Sequence, residues 1–198
     1  MLQLGLFSSG QVIAPGSANA ERTYLGSGAW VDVARGWLQG ADALFAQLAE
    51  CVDWRHYKRW MYDRVVDDPR VSHWCHSAGE LGLPVMVEIE SSLRELYGKR
   101  LVGPGLNYYR DGRDSVAFHA DRELRRLDDT LVAIVTLGAT RSFLMRAKGG
   151  GRSVDFRPAS GDLLVMGGAC QAHFEHAVPK AATVSGGRIS ASWRWARR

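Results

Sequence analysis

The hydrophobic pattern changes character near residue 100. Ahead of it, residues 37–38 and 41–49 carry apolar side chains at helical spacing, with Leu44, Phe45 and Leu48 on one side. Residues 83–96 repeat this, with Val85, Val87, Ile89, Leu93 and Leu96 standing among Glu88, Glu90 and Arg94. Both stretches predict amphipathic helices, because apolar residues recurring every three to four positions gather on one helical face. Residues 54–74, between them, are aromatic and basic and include Asp67-Asp68-Pro69-Arg70. Proline at 69 lacks a backbone donor and restricts its predecessor, so no helix is expected to run through this stretch.

Beyond residue 100 the pattern becomes short β-rich runs, at 106–109, 116–119, 131–137, 142–145, 154–156, 162–166, 173–178 and 188–195. Asp111-Gly112, Gly149-Gly150-Gly151, Gly167-Gly168 and Gly186-Gly187 supply turns between them. Eight short strands in about 95 residues predict a double-sheet jelly roll. The fold class expected is therefore α+β, a double-stranded β-helix core with N-terminal supporting helices. One domain over residues 1–198 is expected, the helices in 1–100 and the core in 101–198.

Composition narrows the setting only a little. Hydrophobic content of 46% and charged content of 23% are ordinary for a soluble globular protein. A net charge of +4 permits a nucleic-acid partner without demanding one. The placement of the basic residues says more. Arg55, Lys58, Arg59 and Arg64 form one group, Arg122, Arg125 and Arg126 a second, and Arg194, Arg197 and Arg198 a third. Together they can frame a phosphate-binding face; as solvated surface arginines they would do nothing of the kind. Cys51, Cys75 and Cys170 are odd in number and widely spaced, which suits a reducing compartment better than a disulfide framework. No basic segment followed by an apolar run opens the chain, and no run approaches the ~20 apolar residues of a membrane-spanning helix. A cytoplasmic location is expected.

Candidate chemistry starts at His119-Ala120-Asp121, at the end of an expected strand, with His176 following 55 residues after Asp121. Residues two apart on an extended strand point to the same side. Two imidazoles and a carboxylate can therefore share one face of a metal and leave the opposite face open, as in non-heme iron(II) oxygenases. His173 competes with His176 for the third position, and periodicity does not choose between them. A second cluster closes the chain: on a strand, Arg188, Ser190, Ser192 and Arg194 share one face, and Ile189, Ala191 and Trp193 the other. Two inward arginines are costly unless an anion meets them, and a dicarboxylate would, through bidentate guanidinium pairing. The plain alternative is an edge strand with its polar side in water.

These pieces resemble the AlkB-type demethylases. Asn107-Tyr108-Tyr109-Arg110-Asp111-Gly112 followed by His119-Ala120-Asp121-Arg122-Glu123 is similar to the pattern N-x-Y-x-x-G with HxDxE/D. Residues 137–143, Gly161 to Met166, His176-Ala177-Val178-Pro179 and Arg188 to Arg194 resemble the family's later segments, in order, over roughly residues 60–195. The resemblance implies iron(II) held by His119, Asp121 and His176, choosing His176 over His173 because it stands two residues before Val178-Pro179. It implies 2-oxoglutarate held by Asn107, Tyr109, Arg188, Ser190 and Arg194, with Arg188 on the distal carboxylate and Arg194 nearer the metal. Glu123 takes the position that contacts the damaged base, and Arg141, in an element close to the site, is expected to contact the substrate as well. Residues 67–74 loosely resemble a substrate-reading lid; Tyr62 or Trp74 would stack on a flipped base, and Trp60 is a third candidate. Ser190 and Ser192 replace the family's Asn and Thr.

The activity implied is oxidative removal of alkyl groups from damaged bases in nucleic acid, DNA ahead of RNA, by a monomer. O2 and 2-oxoglutarate are consumed, and succinate, CO2 and an aldehyde are released. A rival reading keeps every metal and cosubstrate residue and directs the same oxygenase chemistry to a protein, lipid or small molecule.

Overall fold

The computed structural model describes residues 19–61, 64–99 and 101–196. Twelve strands form two sheets among these residues. In chain order they are β1 (Glu21–Gly26), β2 (Ala29–Ala34), β3 (Arg55–Met61), β4 (Arg64–Trp74), β5 (Val102–Tyr109) and β6 (Val116–His119). There follow β7 (Thr130–Gly138), β8 (Leu144–Ala147), β9 (Val154–Asp155), β10 (Leu163–Gly168), β11 (Phe174–Val178) and β12 (Arg188–Ala196). Helix α1 (Ala41–Cys51) precedes β3, α2 (Pro84–Tyr97) precedes β5, and the one-turn α3 (Cys170–His173) leads into β11. The large sheet runs β1-β2-β10-β7-β12-β5-β4-β3, and the small one β6-β11-β8-β9. This is the jelly-roll arrangement expected from the strand-rich half.

The large sheet separates two cores. Alternation along β7 sends Leu131, Ala133, Val135 and Leu137 to one face, where they meet Leu44 and Leu48 of α1 and Met86, Ile89 and Leu93 of α2. Val132 and Ile134 go to the other face, toward Phe143, Met145 and Val178 of the small sheet. Strand β12 obeys the same period of two. Ile189, Ala191 and Trp193 join the helix-side core, which leaves Arg188, Ser190, Ser192 and Arg194 on the side of the small sheet.

Two features ahead of residue 100 differ from the expected pattern. Four strands, β1 to β4, belong to the large sheet, where no strand was expected. In α2 the buried side is Met86, Ile89, Glu90 and Leu93, spaced by three and four, while Val87 is 44% exposed. Glu90 is tolerated there because it is fully engaged. It accepts hydrogen bonds from Ala78 N at 3.0 Å and Trp193 Nε1 at 3.2 Å, and pairs with Arg94 one turn on.

Candidate functional site

His119 and His176 face each other across the β6–β11 ladder as directly paired residues, so sheet register alone brings the imidazoles together. Their ring centroids are 4.3 Å apart. Asp121 sits just past the end of β6, and its Oδ1 is 3.9 Å from Nε2 of each histidine. One ligand atom from each of the three residues lies within 4.8 Å of the other two. His119 Nδ1 meets Ala117 O at 2.9 Å; as a donor it leaves Nε2 with its lone pair toward Asp121. Phe143 stacks on His176 at 5.5 Å and fixes that ring from behind.

Electrostatics prepare the same three groups for a cation. Burial pushes His176 down to about 3 and lowers His119, so both imidazoles are neutral ligands near pH 7. Burial works against ionised Asp121, but Arg194 outweighs it and holds the carboxyl below its usual range. Arg194 does so directly, through Nε to Oδ2 at 2.6 Å. Two neutral imidazoles and one carboxylate, with both Nε2 atoms about equally far from one oxygen, fit a single divalent metal bound on one face.

The three residues line a cavity of about 1450 Å³ between the sheets, with Asn107, Tyr109 and Ser190 at its inner wall. Behind Ser190 lies Arg188, fully buried. Its guanidinium reaches only Ser190 Oγ at 3.3 Å, Arg141 O at 3.4 Å and Thr136 Oγ1 at 3.4 Å. Among the described residues no carboxylate lies within ion-pair distance of it. Burial drives its guanidinium down to about 10. A buried cation with three long contacts and no counter-charge fits a dicarboxylate ligand. Asn107 is fixed to greet that ligand as a donor: its Oδ1 already accepts from Arg70 Nε at 2.8 Å and Ser72 Oγ at 3.0 Å, leaving its amide N–H groups for the cavity. The serines that replace the family's Asn and Thr act as braces. Ser190 accepts from Arg188, and Ser192 accepts from Arg194 Nη1 at 3.1 Å and donates to Gly105 O at 2.9 Å.

The remaining expected residues divide. Glu123 and Trp74 line the cavity and are exposed. Trp74 lies over the Arg194 guanidinium at 5.4 Å, so it forms a wall of the site as well as an available ring. Arg141 does not reach the cavity. It is 1% exposed, and its guanidinium binds Asp111 O, Asp114 O and Pro179 O at 2.7–2.9 Å, clamping two loops where a substrate contact was expected. Arg194, expected both in a basic group and inward on 2-oxoglutarate near the metal, points inward and pairs with Asp121. His173 ends α3 and is exposed, outside the cluster. Tyr62 lies outside the described residues, as does the side chain of Trp60. Arg70 and Ser72 carried no assigned role in the sequence; their only signal was the Pro69-Arg70 pair ahead of an aromatic.

Residues 44–194 match the 2OG-Fe(II) oxygenase superfamily. The chain belongs to that superfamily. Its members use iron(II), 2-oxoglutarate and O2, the metal and dicarboxylate that the geometry accommodates. Among curated proteins the chain is 31% identical to alpha-ketoglutarate-dependent dioxygenase alkB homolog 3 of Rattus norvegicus, over 72% of this chain and 55% of that protein. It is 30% identical to DNA oxidative demethylase ALKBH2 of Arabidopsis thaliana, over 56% of this chain and 43% of that one. Within the superfamily the chain is thus AlkB-like, and it spans about half the length of these relatives. A prolyl hydroxylase from Trichoplax adhaerens, in complex with a hypoxia inducible factor peptide fragment, shares the fold with a TM-score of 0.62 at 10% identity. That match covers 84% of this chain and 83% of the hydroxylase.

Proposed function

We propose that the protein is an iron(II)- and 2-oxoglutarate-dependent dioxygenase that removes alkyl groups from damaged bases in DNA or RNA. The observation that carries this reading is a cavity with a cation site on its wall and, behind Ser190, a buried cation without a counter-charge among the described residues. The His119–Asp121–His176 cluster closes on a cation at one place, and Arg188, with Asn107 and Tyr109, awaits a dicarboxylate at another. When bound, iron would supply oxidising chemistry in which one oxygen atom of O2 enters succinate as the 2-oxo acid loses CO2, and the other enters a C–H bond of the N-alkyl group, which then leaves as an aldehyde.

The chain's own residues hold and exclude. Arg188 neutralises the distal carboxylate, and Asn107 donates to the cosubstrate. Asp121 keeps its charge at the metal because Arg194 stabilises it. Trp74 and Glu123 stand at the mouth, where a flipped base would meet an aromatic face and a hydrogen-bond acceptor. Arg122, at the same mouth, and Arg125 and Arg126 beyond it are exposed, as a sugar-phosphate strand requires. The alkB homolog and DNA demethylase relatives support the same substrate class. Three unpaired cysteines, two of them buried, fit a reducing cytoplasm. No helix among the described residues is long and apolar enough to cross a membrane.

The test is repair of a panel of methylated single-stranded and duplex oligonucleotides, with succinate and aldehyde measured together. Asp121→Ala is expected to abolish turnover while the circular dichroism spectrum stays that of the parent. Succinate release driven by a protein, lipid or small metabolite, with no oligonucleotide repaired, would transfer the chemistry to another substrate class.

A further inference from the structure

Of the three metal-facing residues, two are placed by strand pairing and one is not. His119 and His176 sit opposite each other on a ladder. Asp121 lies beyond β6, where no neighbouring strand receives its peptide N–H. That N–H is met instead by a side chain 50 residues away: Gln171 Oε1 accepts from Asp121 N at 2.8 Å. Gln171 is 1% exposed, and its amide nitrogen has only the Met166 sulfur, at 3.9 Å. A buried amide is costly unless its polar atoms are used, and its one strong bond goes to the main chain of Asp121.

The element that carries Gln171 is itself tied to the Asp121 segment from outside. Lys148 Nζ donates to Gln171 O at 2.9 Å and Ala172 O at 2.6 Å, and across to Arg125 O at 3.2 Å. The loop that begins at Asp121 is thus pinned to α3 at two points, one inside and one at the surface. Arg194 holds only the far end of the ligand, its carboxylate. A carboxylate held at one end swings; held at its peptide as well, it keeps a direction.

We propose that Gln171 is a positioning residue for the metal site, fixing the main chain of Asp121 so that its carboxylate meets the ion, with Lys148 holding α3 in register. This rests on His119, Asp121 and His176 being the metal ligands. Partners that orient a ligand without touching the metal typically change metal affinity by ~10–100-fold.

The full chain, stripped of metal, is titrated with Co(II) and followed by visible absorption. Gln171→Met keeps the length and removes the oxygen; Gln171→Glu returns an oxygen to the same place. The methionine variant is expected to bind Co(II) about 10–100-fold more weakly, with a changed visible band, and the glutamate variant to recover most of the affinity. Equal affinity in the parent and the methionine variant would overturn the proposal. So would an equal loss in both variants, since a merely structural role does not distinguish them. If Gln171→Met does not fold, Lys148→Met takes its place: that side chain is exposed, a several-fold loss is expected, and unchanged affinity is fatal to the proposal. A parent chain that does not bind Co(II) would instead remove the metal site itself, and this inference with it.

Discussion

Replacing Arg188 with methionine separates the cost of the site from its use. Arg188 is fully buried, its three contacts run from 3.3 to 3.4 Å, and its guanidinium sits at about 10 against an ordinary 12.5. A base whose folded value lies below its unfolded value destabilises the fold wherever it carries its proton. Here that is the whole neutral range, and the penalty fades only as the pH rises past about 10. At 1.36 kcal/mol for each tenfold change in proton affinity, the charge costs on the order of 3 kcal/mol. Methionine fills a similar volume without it. Ser190, Thr136 and the Arg141 carbonyl lose a weak partner each, so the net gain is about 1–3 kcal/mol without 2-oxoglutarate. For a chain of this size that raises Tm by roughly 2–10 °C. Adding 2-oxoglutarate at about 1,000 times its Kd stabilises the parent by about 4.1 kcal/mol and reverses the order, because the variant has lost the grip on the distal carboxylate. The assay is thermal unfolding of both chains in Co(II), with and without 2-oxoglutarate. A variant that melts below the parent without ligand, or still gains the parent's full shift with it, refutes the account of Arg188 as a buried cation kept for an anion.

Three further outcomes follow from the same geometry. A Cβ at residue 105 would lie 2.6 Å from the Trp74 ring and 3.1 Å from Arg194 Nη1; Gly105→Val is therefore expected to displace Trp74 and raise the KM for a methylated oligonucleotide severalfold, and an unchanged KM would remove Trp74 from the substrate wall. Trp193→Phe deletes the donor to buried Glu90 and is expected to cost about 1–3 kcal/mol in denaturant unfolding while leaving Co(II) affinity alone. Two ordinary imidazoles would lose metal affinity on the order of tenfold between pH 7.5 and 6, through protonation near 6.5; with His176 at about 3 and so neutral over that window, and His119 lowered by burial and so protonated less than a free imidazole, Co(II) affinity should hold within a few-fold.

What the sequence disclosed depended on whether the signal was local. Each strand-like run after residue 100 overlaps a strand of the jelly roll, because a sheet with a core on both sides calls for short runs of apolar and β-branched residues. Strands β1 to β4 escaped notice for physical reasons. The burial of β2 includes Asp32, which looks wrong for a strand interior until Arg22 is seen to clasp it at 2.6 Å. Strands β3 and β4 are rich in charge, and β3 lies at a sheet edge. The His119–Asp121 pair was legible from spacing. The choice between His173 and His176 was not, because the α3 turn ends at His173 and breaks the alternation that periodicity assumes. Arg141 misled for a related reason: proximity in sequence to the site says nothing about loops at 111–114 and 179, whose carbonyls claim its guanidinium. Gln171 had no sequence signal, since its partner is a peptide N–H.

The division of labour in β12 explains how one fold carries so polar an interior. Ile189, Ala191 and Trp193, all 1% exposed or less, stabilise the side covered by α1 and α2, while the alternate residues on the same strand, Arg188, Ser190, Ser192 and Arg194, face the small sheet, the last three lining the cavity. Each large apolar side chain on the helix side contributes about 1.5–3 kcal/mol, enough in aggregate to offset a buried guanidinium on the other. The two faces share a backbone but few side-chain partners, so their substitutions should act nearly additively. Loss of the Trp193–Glu90 contact lowers stability without touching the metal, and loss of Arg188 removes the anion grip without weakening the helix-side core. Coupling is expected at one place, Ser192, where the Gly105 carbonyl and the Arg194 guanidinium meet the same hydroxyl. There the strand that supports the core also sets the cation that holds Asp121.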